Sequence, residues 1–133
     1  MNYCADTWFM LELSESKAKA LQIFKDAKEG KSHIIVPAVV IAETMKQLLH
    51  RGKKRAGVEL FFDSIEQSEK IRIISVDKAI AMEGAVISLS YGVPLVDSLV
   101  AATAHIHQCD MLLAKDAHYT PFVKKKYIKL HNW

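Results

Sequence analysis

Short apolar runs alternate along this chain with longer stretches whose apolar residues recur at helical spacing. Because a strand that is followed by a helix returns to its sheet in parallel, this alternation favours a parallel sheet covered by helices on both faces, a three-layer α/β/α sandwich. A chain of 133 residues suits one such domain, and we expect a single domain over residues 1–133. The predicted strands are Met1–Ala5, His33–Val36, Ile71–Val76, Met111–Ala114 and Tyr127–Leu130.

The helical stretches are bounded by residues that typically cap or end helices. Ser16 is a candidate N-cap, Asp77 is a second, and Asp97 or Ser98 is a third, while Gly30 and Gly92 are expected to end helices. One predicted helix follows Ser16 and ends at Gly30, and a turn or short helix is predicted at Thr7–Leu13. The other predicted helices cover Ala38–Leu49, Lys53 or Lys54 to Ser68, Lys78–Tyr91, Val96–His107 and Pro121–Lys125.

Composition narrows the class of protein without deciding its function. The net charge of +3 permits an anionic partner, but it is far from the charge that would require nucleic-acid binding. No apolar stretch approaches the roughly 20 residues of a membrane span, and no signal-type segment begins the chain. We therefore expect a cytoplasmic protein with no membrane association.

Four acidic residues occupy positions that this fold would bring together. Asp6 and Asp116 follow apolar strands, Glu43 lies inside a helical stretch, and Asp97 opens another helix. Ligands of parallel sheets bind at the carboxyl ends of the strands. Carboxylates that converge there repel one another unless a cation or protons neutralise them. A donor set of oxygens alone selects Mg²⁺ or Mn²⁺ over Zn²⁺.

Each of these residues also has an ordinary structural interpretation. Asp97 and Asp6 could cap helices, Asp116 could be a turn residue, and Glu43 could face solvent on a polar helix stripe. Their joint placement is what favours a metal site.

The residues around these carboxylates carry a resemblance to a known family. Ala5-Asp6-Thr7, Glu43 within Val-Ile-Ala-Glu-Thr, and the segments 96–104 and 110–116 resemble the PIN-domain nucleases, including the VapC-type toxins of toxin–antitoxin pairs. The similarity spans nearly the whole chain. It implies a five-stranded, mostly parallel sheet and a tendency to dimerise. Apart from the resemblance, Met45, Phe61 and Phe62 are apolar residues in excess of what the core is expected to hold, and they are candidates for a dimer or antitoxin surface.

The resemblance also implies a site and a reaction. Asp6, Glu43, Asp97 and Asp116 would be the catalytic and metal-binding set, with Thr7 as a supporting hydroxyl. A bound Mg²⁺ would lower the pKa of a water that attacks an RNA phosphodiester. Two positions depart from the family pattern: Ala114 stands where Ser or Thr is frequent, and Trp8 stands where a small polar residue is frequent, so that substrate access near Asp6 is expected to differ.

A basic segment between two predicted helices is a candidate for phosphate binding. It contains Arg51, Lys53, Lys54 and Arg55, which would offset the repulsion between RNA and the carboxylates. The alternative is a solvated interhelical turn. His118 could contact phosphate or aid proton transfer, although an exposed loop histidine without such a role is the simpler interpretation.

We therefore predict a Mg²⁺-dependent endoribonuclease that cleaves single-stranded or structured RNA and is the toxin of a toxin–antitoxin pair, with a cognate antitoxin as its protein partner. Two alternatives stay open. One is an RNA-processing PIN nuclease outside a toxin system, and the other is a non-catalytic PIN-like scaffold that binds RNA or protein.

Overall fold

The structure, a computed structural model, describes residues 1–115 and 117–133. Within these residues a sheet of four parallel strands has the order β3-β2-β1-β4, so that β1 lies between β2 and β4. The strands are β1 (Asn2–Ala5), β2 (His33–Pro37), β3 (Ile71–Ile74) and β4 (Met111–Leu113). The sheet is buried among helices, as the apolar composition of its strands predicts.

Helices connect and cover the strands. The first helix follows β1 after a single residue, and α6 packs on β1, β2 and β4. The helices are α1 (Thr7–Ser14), α2 (Ala18–Lys28), α3 (Ala38–His50), α4 (Arg55–Glu66), α5 (Lys78–Tyr91), α6 (Leu95–Ile106) and α7 (Thr120–Lys124), and a 3₁₀ turn covers Ala117–Tyr119. The predicted α/β fold with a parallel sheet is confirmed.

The expectation of a five-stranded sheet is wrong for the described residues. The segment predicted as the fifth strand makes a single parallel bridge, between Leu130 and Leu112. Lys126 has a positive φ of 59°, and the Tyr127 hydroxyl donates to Glu83 at 2.9 Å. Because the backbone turns at Lys126 and the Tyr127 side chain is held by α5, only one residue of the segment aligns with β4.

Two predicted helix caps are also wrong. Ser16 has a φ of 57°, and α2 begins after Lys17. Helix α6 begins after Pro94, so that Asp97 lies in its first turn and Ser98 donates its hydroxyl to the Val93 carbonyl at 3.2 Å. Asp77 is an N-cap as predicted, since its carboxylate accepts the N–H of Ile80 at 2.9 Å.

Helices α5 and α6 approach each other closely at Gly84. A Cβ atom at this position would lie 2.6 Å from Cδ2 and 3.3 Å from Cα of Leu99, distances that packed atoms avoid. The missing side chain thus allows α5 to sit directly on the helix that carries Asp97.

The apolar residues expected at a dimer surface are buried or partly buried. Phe62 is buried, and Phe61 and Met45 are partly buried against the core. The large exposed apolar side chains include Leu60 on α4 and Met82, Val86 and Leu89 on α5.

Among the described residues, no single helix is long and apolar enough to cross a membrane. The pair α5 and α6 has the required length and composition only when the two helices are taken together, and they are bent by 120° at their junction.

Candidate functional site

Asp6 is the first residue beyond the carboxyl end of the central strand β1. Its backbone N–H donates to the Leu113 carbonyl of β4 at 3.2 Å, which holds the residue at the sheet edge. Its side chain is buried, and one carboxylate oxygen accepts the hydroxyl of Tyr119 at 2.9 Å. Asp6 is therefore held from both sides, by the sheet and by the 3₁₀ turn.

Asp6, Glu43 and Asp97 line one open cavity of about 490 Å³. They come from the end of β1, from α3 and from the first turn of α6. The Thr7 hydroxyl donates to Glu43 Oε1 at 2.9 Å, and Thr7 is itself buried. The fold thus brings together three of the four predicted carboxylates and the predicted supporting hydroxyl.

The electrostatics of Asp6 show how crowded this cavity is. Burial first, and then the charges of Asp97 and Glu43, raise the pKa of Asp6 from 3.8 to about 6, against the opposing effect of hydrogen bonds from the Thr7 N–H and the Tyr119 hydroxyl. The pKa of Tyr119 is raised as well, first by its burial and then by the charges of Asp6 and Asp97. Tyr119 therefore stays protonated and donates to Asp6.

Asp97 has a partner that the sequence analysis did not assign. Its Oδ2 atom lies 2.9 Å from Nδ1 of His118, and the Asp97 side chain is only 14% exposed. The simpler interpretation of His118, an exposed loop residue without a role, is therefore incomplete. The histidine itself is 57% exposed and reaches Asp97 from the 3₁₀ turn, so this turn helps to orient the Asp97 carboxylate.

The fourth predicted carboxylate, Asp116, lies outside the described residues. Strand β4 ends at Leu113, which pairs with Ala5. The strand therefore ends three residues before Asp116, one residue earlier than the predicted strand Met111–Ala114.

The donor set at this cavity fits a hard divalent cation. Across residues 1–115 and 117–133, no three His, Cys, Asp or Glu side chains are grouped closely enough to surround a metal ion by themselves. Mg²⁺ does not need such a group, because it keeps several of its waters and is typically held by one or two carboxylates. The pKa of Asp6 is raised mainly because burial disfavours its charged form, and a bound cation would favour that form.

The basic segment borders the same cavity through one residue. Arg51 lines the cavity and pairs with Glu15 at 3.1 Å. Arg55 pairs with Glu59 at 2.7 Å, whereas Lys53 and Lys54 form no ion pair with any carboxylate in the described part of the chain. The two lysines are thus the members of the segment whose charges are not already compensated.

A parallel α/β sheet with Asp6, Glu43 and Asp97 at one cavity beyond its strand ends belongs to the class of α/β proteins that bind ligands at this edge, and sequence comparison names the family. The PIN domain family model matches residues 3–124, and the chain belongs to this family. The resemblance inferred from the sequence is thereby confirmed. PIN domains are generally nucleases, and PIN nucleases are typically dependent on divalent metals. No curated protein matches the sequence significantly.

Solved structures share the fold at low sequence identity. VapBC2 from Rickettsia felis, bound to a DNA fragment from its promoter, aligns with a TM-score of 0.76 and 15% identity over 100% of this chain and 99% of that one. A toxin–antitoxin complex from Klebsiella pneumoniae aligns with a TM-score of 0.69 and 17% identity over 95% and 94% of the two chains. VapBC-1 from nontypeable Haemophilus influenzae aligns with a TM-score of 0.67 and 15% identity over 100% and 98%.

Proposed function

We propose that this protein is a Mg²⁺- or Mn²⁺-dependent endoribonuclease that hydrolyses phosphodiester bonds of single-stranded or structured RNA. The observation that carries the proposal is the convergence of Asp6, Glu43 and Asp97 on one cavity, where burial and mutual repulsion raise the pKa of Asp6 to about 6. Membership of a nuclease family supports the same conclusion.

The residues of this chain would have different roles in the reaction. Asp6, Glu43 and Asp97, with Asp116 from the sequence argument, would hold the ion and its waters. Thr7 fixes the orientation of Glu43, and His118 fixes that of Asp97. Arg51 at the rim offers a cation to the RNA phosphates. When bound, Mg²⁺ supplies an activated water and stabilises the charge that develops on the phosphate.

We further propose that the nuclease is the toxin of a toxin–antitoxin pair and acts as a single domain over residues 1–133 in the cytoplasm. The support is that the solved structures with this fold include toxin–antitoxin complexes, in each of which one chain is matched over 94% or more of its length. A cognate antitoxin is then the expected protein partner. A neighbouring reading frame for a small DNA-binding protein would support this role over RNA processing.

The protein is also proposed to form a homodimer through α5. The exposed face of this helix carries Met82, Val86 and Leu89, of which Leu89 is 88% exposed. Ala81, Ala85 and Ser90 lie on the same side of the helix, and the charge of this face, Lys78, stands at the first residue of α5. A second copy can cover the apolar part of the face from Met82 to Ser90 while Lys78 stays at its edge, which suits a self-complementary contact.

Two substitutions test the nuclease assignment. Asp6→Asn and Asp116→Asn should each abolish Mg²⁺-dependent cleavage of single-stranded RNA. Mg²⁺ should raise the melting temperature of the wild type, because it binds the folded state, and should raise that of each variant less. Cleavage is measured on a labelled oligonucleotide with and without EDTA. Wild-type cleavage that persists in EDTA, or full activity in both variants, would refute the proposal.

A further inference from the structure

A second depression lies directly beside the acidic cavity, and two side chains form the wall between them. Trp8 and Lys115 line both spaces. The second depression has a volume of about 320 Å³, and its other lining residues include Trp133, Lys17, Lys19 and Glu12. A molecule that extends out of the acidic cavity along this wall therefore enters an aromatic and basic environment.

The aromatic part of the depression is a pair of tryptophans. The rings of Trp8 and Trp133 meet edge to face, with their centroids 4.6 Å apart and an interplanar angle of 75°. Both side chains are only partly buried, so each leaves ring surface open to a ligand. Lys115 Nζ lies 5.5 Å from the Trp8 ring centroid, in the range of a cation–π contact. The indole N–H of Trp133 has no acceptor among the described residues.

The charged part of the depression favours an anion. The lining residues include three lysines and one acidic side chain, that of Glu12. Lys17 has a distant partner in Glu15 at 3.8 Å. Lys19 and Lys115 form no ion pair with any carboxylate of residues 1–115 and 117–133. Aromatic faces bordered by uncompensated lysines are the combination that binds single-stranded nucleic acid, because bases stack on the rings and phosphates meet the cations.

We propose that this depression binds one nucleotide of the RNA strand next to the phosphodiester that is cleaved, with its base on Trp8 and a flanking phosphate at Lys115. This inference rests on the proposed ribonuclease function and extends it to the position of the substrate. A base paired in a duplex cannot stack on Trp8, so the subsite selects unpaired RNA at this position. Since every base has a π-face, stacking here positions the strand without reading its sequence.

The protein carries its own reporter for this subsite. Trp8 and Trp133 are the two tryptophans of the chain, so intrinsic tryptophan fluorescence comes from the subsite alone. We expect a short single-stranded RNA to quench this fluorescence in Asp6→Asn protein without divalent metal, where no cleavage occurs. The same oligonucleotide with an abasic nucleotide at the cleavage position should quench weakly, because it keeps the phosphates and lacks the base.

Substitutions then separate stacking from charge. Trp8→Ala should weaken RNA binding roughly 5- to 100-fold, whereas Trp8→Phe should keep most of the affinity, because a phenyl ring still stacks. Anisotropy of a labelled oligonucleotide measures the affinity, and melting temperatures show whether each variant is folded. Lys115→Ala should also weaken binding. Lys28→Ala is its matched control, since Lys28 Nζ lies 5.4 Å from the Phe24 ring on α2 and lines neither cavity.

The outcomes distinguish failure of the subsite from failure of the nuclease assignment. Folded Trp8→Ala protein that binds intact and abasic RNA as tightly as the parent would overturn the subsite, even if the wild type cleaves RNA. Base-dependent quenching in a protein without metal-dependent cleavage would uphold the subsite and overturn the nuclease assignment. Quenching by a peptide of the cognate antitoxin, with none by RNA, would make this a protein-docking surface and overturn the subsite.

Discussion

The ionisation of Asp6 should make the metal-free protein less stable as the pH rises. The folded-state pKa of about 6 lies above the ordinary value of 3.8, so the folded protein holds a proton that the unfolded chain releases between these values. The ionisation of buried Asp6 lowers the free energy of unfolding. This loss is absent below pH 3.8 and complete above the folded-state pKa, where it amounts to about 3 kcal/mol. Asp6→Asn should therefore raise the metal-free melting temperature at pH 7.5 and lose this advantage near pH 4, as thermal unfolding across this range would show.

A matched substitution controls for the general effect of removing a carboxylate. Asp63→Asn changes an exposed residue of α4 that does not line the cavity. The difference in melting temperature between Asp63→Asn and the wild type should not grow from pH 4 to pH 7.5. An equal, pH-independent gain for Asp6→Asn and Asp63→Asn would contradict the argument from burial.

Single residues of the site differ in how far the sequence reveals them. Asp6 is recognisable because it directly follows a short apolar strand, and such positions meet at one edge of a parallel sheet. The hydrogen bond from Tyr119 to Asp6 spans 113 residues and leaves no local pattern. The pairing of His118 with Asp97 is equally invisible, since it depends on how the 3₁₀ turn sits over α6.

The contact between α5 and α6 should depend on a missing side chain. Gly84→Ala forces a methyl group against Leu99, and we expect a loss of about 1–3 kcal/mol in the free energy of unfolding despite the better helix propensity of Ala. Gly57→Ala is the control, because no heavy atom lies within 4 Å of its would-be Cβ in α4. It should stabilise the protein by up to about 1 kcal/mol. Urea unfolding measures the free energy of unfolding of both variants. If the two substitutions changed it in the same direction, the packing argument would be refuted.

The basic segment before α4 should act through its two unpaired lysines. Replacing Lys53 and Lys54 by Ala should lower the slope of log affinity against log salt for single-stranded RNA by roughly 1 to 1.5, because about two fewer counterions are released. Arg55 contributes less because Glu59 already pairs with it. Lys124→Ala with Lys125→Ala is the control pair of equal charge. An unchanged salt slope would identify the segment as a solvated turn.

Helices and strands were predictable where local chemistry decides them. Asp77 and Gly92 bound α5 as expected, since a carboxylate cap and a left-handed glycine act within one turn. Ser16 failed as a cap because the turn after α1 places it at a positive φ, which its own sequence does not reveal. The segment at Tyr127–Leu130 has strand-like residues, but its contacts to α5 and α6 leave only one bridge to β4.

The assembly of two copies should depend on the apolar face of α5. Leu89→Glu places a charge at the centre of that face and should convert a dimer into the 15.0 kDa monomer, as seen by sedimentation at micromolar concentration. Leu60→Glu is the control, because Leu60 is 68% exposed on α4, outside this face. A wild type that sediments only as a monomer, or a dimer that survives Leu89→Glu, would exclude this contact.

For the molecule as a whole, the alternation of apolar runs and helical stretches was sufficient to predict a parallel α/β sheet, because that pattern has few compact solutions. The strand count was not predictable in the same way. Whether a short apolar segment pairs at the edge of a sheet depends on the side chains that compete for it, as the turn at Lys126 and the bond from Tyr127 to Glu83 show. Chain order alone likewise did not fix the register that ends β4 at Leu113.

The long separation in sequence between Asp6 and Tyr119 also delays completion of the pocket around Asp6 during translation. The Asp6 carboxylate is synthesised 113 residues before the hydroxyl that holds it. At a translation rate of 5–20 residues per second, this interval lasts roughly 6 to 23 seconds. During that interval a nascent chain carries Asp6 without the completed pocket around it. Translation of the segment that contains Tyr119 therefore determines when the pocket around Asp6 can form.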